Sequence, residues 1–441
     1  MKLSSLSCLA TVILAGHGCL LPQEMDDMVN NDLQNKANTG LAIGKGDRFR
    51  KRRNIPKGAG IGGLDDDVSI LNVGEIKSGL KRLSQAYPSV RRFKAPHKTF
   101  EKRRLRGIVV GKEPRVFIIS GVHARERGGP DNVLYFVSDL LAAHKEHTGL
   151  RYGNKTYTSE QVDSAFNAGL VVLPLVNPDG VAYDQKTHKC WRKNRNTQSA
   201  FEDDPRSVGV DLNRNFNTTW DYKRMFAPEA AAKKSIASDN PSSEVFHGTE
   251  PLSEPETRNV DWVLSQYPSL SWFVDVHSVG AMVLMGWGDD DFQFFDPEQS
   301  FGNSSYDGTR GILDVTRSEE ASQYREFLAA HDALAEVFVV EHMREAMTEA
   351  GVIPYKAMPL SSLYPVSGCS VDHALGRCYG NDKSCNSSVL GIGIEFGPWY
   401  QKHCCPFYPD ARGYKESLNQ VAAGLMEVLL HAAMEMNMPR D

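Results

Sequence analysis

Short strand candidates, several of them continuous apolar runs, recur along this chain and constrain its fold more than any other feature. They span Arg104 to Val110, Val116 to Ser120, Gly169 to Leu175, Trp272 to Val276 and Leu390 to Glu395. A strand that is apolar on both sides needs cover on both faces, so these runs predict central strands. Between them lie helical stretches at Glu75 to Gln85, Asp131 to His147, Glu256 to Gln266, Tyr324 to Ala350 and Tyr414 to Glu435. In the last, Leu418, Val421, Leu425, Val428 and Leu429 form one stripe at helical spacing, which reads as core. Pro130 fits the first turn of the second helix. The alternation predicts an α/β fold, a three-layer sandwich whose central mixed, mostly parallel sheet is covered by helices on both faces.

Ligands of such folds bind beyond the strand ends. One run there ends in Ser120-Gly-Val-His123-Ala-Arg-Glu126 and a second in Asp275-Val-His277. Singly, each histidine reads as an ordinary loop or strand-end residue. Together, His123, Glu126 and His277 make a His2Glu donor set, and a catalytic zinc needs three protein ligands and one open position. Two imidazoles and a carboxylate suit zinc better than magnesium or calcium. A third run ends at Glu395, placing a carboxylate where it can act as a general base. Trp191-Arg-Lys-Asn-Arg195 and Gly209-Val-Asp-Leu-Asn-Arg-Asn-Phe216 gather arginines and asparagines, in line with recognition of an anion by a planar guanidinium.

These segments, with Asn177-Pro-Asp-Gly180, stand in the order and at the spacings of a known family. The chain resembles the zinc metallocarboxypeptidases of the funnelin type, the group of pancreatic carboxypeptidases A and B, over roughly residues 68 to 435. The resemblance implies one Zn2+ on His123, Glu126 and His277, with Glu395 as general base and Arg192 stabilising the oxyanion. It implies that Asn213 and Arg214 hold the terminal carboxylate of a peptide or protein, and that Arg125 contributes to outer subsites. A secreted enzyme that removes C-terminal residues is therefore expected. The alternatives are an amidohydrolase or deacylase on the same scaffold, or a binding protein that has kept the fold.

Two departures accompany the resemblance. The family's mobile tyrosine is expected three residues beyond the aspartate of Ser370-Val-Asp372, where this chain has Leu375; Tyr379, four residues further on, reads as a surface tyrosine or, more sharply, as its substitute. The specificity position is expected near Gly380 to Asp382, where Asp382 facing the pocket favours Lys or Arg side chains. Substrate preference stays open on the sequence.

Composition is that of an ordinary globular protein: 441 residues, 41% hydrophobic, with a formal charge of −5. That balance gives no case for nucleic-acid binding. Residues 1–19 read as a signal peptide, with Lys2 before the apolar stretch Leu3 to Ala15, which is too short to span a bilayer. No later segment is long and apolar enough to cross a membrane, and a secreted monomer is expected. Residues 20–66 read as a disordered pro-segment or linker with a basic cleavage run at Arg50 to Arg53, and 67–441 as the catalytic domain. Gly58-Ala-Gly-Ile-Gly-Gly63 matches a dinucleotide pattern by letter only, because no strand precedes it.

Beyond the signal, Cys190, Cys369, Cys378, Cys385, Cys404 and Cys405 remain, an even count that predicts disulfides of unreadable connectivity around the base. Acceptor sequons at Asn154, Asn217, Asn303 and Asn386 fit a glycosylated, exported chain. The polar stretch from Trp287 to about Arg325 reads as a surface insertion or, more sharply, a substrate-selecting lid.

Overall fold

The computed structural model describes residues 39–51, 54–62, 68–233, 235–313, 324–379, 388–400, 403 and 405–436. Eight strands form the principal sheet: β1 (Val90–Lys98), β2 (Arg104–Val110), β3 (Val116–Ser120), β4 (Leu170–Leu173), β5 (Trp272–His277), β6 (Met282–Met285), β7 (Lys356–Pro359) and β8 (Leu390–Glu395). Their spatial order is β1-β2-β4-β3-β5-β8-β6-β7. The central strands β4, β3, β5 and β8 run parallel. Antiparallel pairings flank them, β1 with β2 and β2 with β4 on one side, β8 with β6 on the other. The expected mixed sheet is present.

Strand alternation explains why both faces are apolar. In β3, Val116 and Ile118 enter one core while Phe117 and Ile119 enter the other. The first core is closed by the helices Val73–Ala86, Gly129–Glu146, Ser159–Ala168, Ala330–Glu349 and Ala411–Met436. The second is closed by Pro255–Gln266 and Ser370–Tyr379. Capping boxes fix two helix starts, Asn72 with Glu75 and Thr158 with Gln161.

The same alternation sets up the functional face. In β8, Leu390, Ile392 and Ile394 feed the first core, so Gly391, Gly393 and Glu395 face the second side. In β5, Trp272, Val274 and Val276 do likewise, leaving Asp275 and His277 on the side of Phe273. The register pairs Glu395 with His277. Gly393, without a side chain, leaves room beside them.

Several elements differ from expectation. β1 escaped notice because it is an edge strand with mostly exposed, charged side chains. β6 and β7 are four residues each, too short for a period to register. The long helix begins at Ala330 instead of Tyr324, because Glu326–Phe327 pairs with Phe292–Gln293 as a small parallel ladder.

Composition also misjudged the N-terminal segment in part. Phe49 is buried in the first core, Ile43 bridges Ile70, and the Leu41 amide donates to the Pro409 carbonyl. Residues 39–51 and 54–62 therefore pack as part of the body instead of forming a loose linker. The signal region and Arg52-Arg53 of the basic run lie outside the described residues. In the glycine-rich run, the Gly58 and Gly60 amides donate to Asp139, each at 2.8 Å, so a side chain takes donors that a phosphate would need.

The polar stretch after Trp287 is anchored inward. Arg310 is buried and paired with Asp289 at 3.3 Å and Glu326 at 3.2 Å. None of its described residues lines the cleft discussed below, so the described part is a packed insertion and not a lid.

Crowding at β8 gives a stability prediction. A Cβ on Gly391 would sit 2.8 Å from Val371 Cγ1 and 2.9 Å from the Val371 carbonyl oxygen. Gly391→Ala is expected to destabilise the fold by about 1–3 kcal/mol, the usual cost of overpacking. A thermal melt of both proteins checks it; an unchanged midpoint contradicts the packing described.

Candidate metal centre and substrate cleft

The chain leaves β3 through Gly121, whose φ of +63° suits glycine, and the next turn carries His123 and Glu126. Asn177 fastens this turn to the following loop. Its side-chain amide donates to the carbonyls of Val122 at 3.1 Å and Lys193 at 3.2 Å. The Ala124 amide donates to the Arg192 carbonyl at 3.0 Å. Thus the Asn-Pro-Asp-Gly segment holds the two functional loops together.

His123, Glu126 and His277 are all buried, and one donor atom from each lies within 4.8 Å of the others. Glu126 Oε1 is 2.6 Å from His123 Nδ1, Glu126 Oε2 is 2.9 Å from His277 Nδ1, and the two Nδ1 atoms are 3.2 Å apart. The far ring nitrogens face other carboxylates. His123 Nε2 is 3.2 Å from Asp211 Oδ1. His277 Nε2 lies 2.8 Å from Asp275 Oδ2, at ion-pair distance though outside hydrogen-bond geometry.

This arrangement passes a physical test for a metal. Protons on the two Nε2 atoms, each beside its aspartate, leave bare lone pairs on both Nδ1 atoms, aimed together with Glu126 at one spot. In that tautomer the three acceptors converge with only the Arg192 guanidinium, 3.4 Å from His123 Nδ1, and the Ser278 amide, 3.3 Å from Glu126, as donors at their edge, an arrangement that favours a cation between them. A carboxylate behind each imidazole is also the usual outer shell of a zinc site. The donor set fits Zn2+.

Asp211 is the second centre of the cleft and was not singled out in the sequence, although it stands inside the Val-Asp-Leu-Asn-Arg-Asn-Phe motif. Arg192 donates to its Oδ2 through two nitrogens at 3.0 and 2.9 Å. The Asn213 amide donates to its Oδ1 at 3.1 Å, capping the short turn that carries Asn213 and Arg214. Burial disfavours the Asp211 charge, but Arg192 and His123 more than offset that and hold the carboxyl well below its ordinary range. Burial likewise raises Glu126, and the two imidazoles against it, when they carry protons, more than offset that and lower it.

Arg214 is buried, with its guanidinium pinned by three backbone carbonyls: Nε on Ile236 at 2.7 Å, and the terminal nitrogens on Asn213 at 2.8 Å and Ser235 at 3.0 Å. Asn213 accepts from the Ser370 amide at 2.8 Å through its side-chain oxygen, leaving its N–H groups as donors for a ligand. Glu395 is part-buried on the cleft floor. Burial first, then the neighbouring Glu126 charge, pushes it up to about 8. A divalent cation beside both carboxylates opposes that second contribution.

His123, Glu126, Arg192, Asn213, Arg214, His277 and Glu395 all line one cleft. Next to them is a recess walled by Leu284, Leu360, Val366, Cys369 and Val371, with Gly393 at its floor. Two expectations need correction. Arg125 does not line the cleft; it is buried, paired with Glu244 at 3.2 Å and stacked 4.6 Å from the Phe407 ring centre. Tyr379 does not line it either, because its hydroxyl bonds Asp332 and the Ala329 amide while its ring packs on Trp287. Leu375 is core, and the tyrosine lining the cleft is Tyr364, whose ring centre is 6.0 Å from Arg214 Cζ. Asp382 lies outside the described residues.

The cysteines behave differently from one another. Cys190 is bonded to Cys405, joining the loop of Arg192 to the segment of Phe407, which also lines the cleft. Cys378 is disulfide-bonded as well. Cys369 is a buried free thiol in the recess wall, so the even count did not mean that every cysteine pairs.

A family model described as zinc carboxypeptidase matches residues 76–383. Carboxypeptidase B of Astacus astacus is 30% identical over 228 residues, 51% of this chain and 66% of that protein. Carboxypeptidase A4 of Mus musculus is 30% identical over 195 residues, 43% of this chain and 40% of that protein. The chain thus aligns with less than two thirds of the length of these relatives. Among solved structures, carboxypeptidase A from Helicoverpa armigera matches with a TM-score of 0.61 at 19% identity, covering 94% of this chain and 81% of that one. Bovine thrombin-activatable fibrinolysis inhibitor in complex with tick carboxypeptidase inhibitor matches with a TM-score of 0.58 at 22% identity, covering 83% and 98%. At these identities the solved structures share the fold.

The carboxylates behind the imidazoles give a direct test. Asp275→Asn is expected to weaken zinc binding about 10–100-fold, the usual cost of losing such a partner. Competition with a chromogenic chelator measures it. Equal zinc affinity in the variant contradicts the orienting role assigned to Asp275.

Proposed function

This chain belongs to the zinc carboxypeptidase family, and from that premise we propose that it removes the C-terminal residue of peptides and proteins. The reading rests on one juxtaposition: the Arg214–Asn213 pair sits in the same cleft as the His2Glu cluster and Glu395. An anion clamp at a set distance from the reacting centre selects chain ends and aligns the last peptide bond.

Zinc held by His123, Glu126 and His277 supplies a Lewis acid and an acidified water. The protein's own groups do the rest. Arg214 and Asn213 take the free carboxylate, with Tyr364 beside them. The terminal side chain enters the recess of Leu284, Leu360, Val366 and Val371. Arg192, fixed by Asp211, faces the scissile carbonyl oxygen and favours the charge that grows there. Glu395 accepts a proton from the attacking water and returns one to the departing amine.

The apolar recess supports a preference for aliphatic or aromatic C-terminal residues over Lys and Arg. Export supports the remaining context: residues 1–19 have the pattern of a signal peptide, and the Cys190–Cys405 bond suits an oxidising compartment. No described helix is long and apolar enough to cross a membrane.

Two expected outcomes test the reading. Glu395→Gln lowers kcat about 10²–10⁴-fold while zinc content stays at that of the wild type. A free C-terminal acid is cleaved about 10²-fold faster than its amide, and Arg214→Ala removes most of that difference. Steady-state kinetics with metal analysis reads both; full turnover by Glu395→Gln, or equal rates on acid and amide, contradicts the proposal. For the recess, Val371→Asp is expected to shift kcat/KM from Phe- or Leu-terminated peptides toward Arg-terminated ones, about tenfold or more. A peptide library read by mass spectrometry checks it, and an unchanged profile would place the terminal side chain elsewhere.

A further inference from the structure

The chain carries a net charge of −5, yet one end of the sheet concentrates positive charge. Two adjoining grooves run between the helix Val73–Ala86 and the β1–β2 hairpin, with volumes of ≈ 730 and ≈ 520 Å³. Seven lysines and arginines line the first and six the second, Lys77 and Arg106 being shared. Among the described residues one carboxylate, Asp47, lines the first groove and none the second. Lys77, Lys81, Arg92, Lys94 and Lys98 are exposed and Arg106 is half-buried. None of these six makes a side-chain hydrogen bond or ion pair among the described residues.

The register makes this arrangement costly. Lys94 stands directly across from Arg106, and Lys98 across from Arg104. Like charges opposite one another in an antiparallel pair destabilise it. Arg104 relieves its own charge partly on the Pro96 carbonyl at 2.9 Å, but Lys94 and Arg106 have no such partner. A row of uncompensated cations along two strands and a helix is complementary to an extended polyanion.

We propose that this groove binds a sulfated polysaccharide. The surroundings favour that ligand over other polyanions. Among the described residues the only aromatic side chain lining either groove is Phe93, whose ring packs 6.0 Å from Trp262, so those residues offer no stacking platform for nucleotide bases. None of the exposed large apolar residues lies in the grooves, so nothing there inserts into a bilayer. Neither groove shares a lining residue with the catalytic cleft. A bound glycan therefore tethers the protein and leaves the cleft open.

The test uses the full chain on immobilised heparin, with N- and O-desulfated heparin, single-stranded DNA and anionic phosphatidylserine vesicles as competitors. Wild type is expected to be retained at about 0.15 M salt, with affinity falling steeply as salt rises. Two variants are compared: Arg92→Ala/Lys94→Ala/Lys98→Ala on the strand and Lys77→Ala/Lys81→Ala on the helix. Each is expected to lose about tenfold or more in affinity while keeping its melting midpoint and its rate on a small peptide. No retention of the wild type, unchanged affinity in both variants, or equal competition by desulfated heparin, DNA or vesicles overturns the proposal. Because the readout is binding, its failure leaves the hydrolytic reading intact.

Discussion

A single buried carboxylate, that of Asp211, ties together the parts of the cleft that must act in concert. One of its oxygens faces His123 Nε2 and the Asn213 amide, and the other accepts two bonds from Arg192. The candidate metal ligand His123, the Arg192 guanidinium and the turn of Asn213 and Arg214 are thus referenced to the same atom pair. Stripping such a group of water costs several kcal/mol unless every lone pair is met. Here a guanidinium, an imidazole and a backbone amide meet them. A partly satisfied Asp211 would be a liability, whereas a satisfied one gives a rigid frame.

The sheet supplies the other half of the frame. His277 and Glu395 lie side by side because β5 and β8 are parallel neighbours in register. A slip of one residue in either strand would turn that strand's functional side chain into the first core. Leu390, Ile392 and Ile394 make that slip expensive by anchoring β8 on the opposite face, while Gly391 lets Val371 pack close and Gly393 lines the cleft. Packing therefore fixes the chemistry's geometry from behind, and the disulfide from Cys190 to Cys405 holds the Arg192 loop against the far wall.

How much of this could be read from the chain follows from where each signal resides. β2 and β3 were legible to the residue because their runs are bounded by charges or glycines, and β8 because its apolar residues alternate with glycines up to Glu395. The metal cluster was legible because each donor ends such a run. Asp211 and Asp275 were not, since an aspartate inside a strand or turn carries no local mark of what lies behind it in space. Tyr364 was missed for a related reason: it sits in an irregular loop where neither period nor strand end singles out a position. Tyr379 was mistaken for a cleft residue because sequence proximity to Leu375 stood in for spatial proximity. The charged β1 strand was hidden by its own polarity, which belongs to its surface and not to the core.

The central claim is that Nδ1 of both histidines, with Glu126, converges on one zinc because aspartates hold the opposite nitrogens. Anomalous diffraction at the zinc edge from crystals of the mature protein tests it most directly. One full-occupancy peak is expected about 2.0–2.2 Å from His123 Nδ1, His277 Nδ1 and a Glu126 oxygen, with Glu395 outside the coordination sphere. A peak bound through Nε2, or one whose ligands include Glu395, would contradict the account.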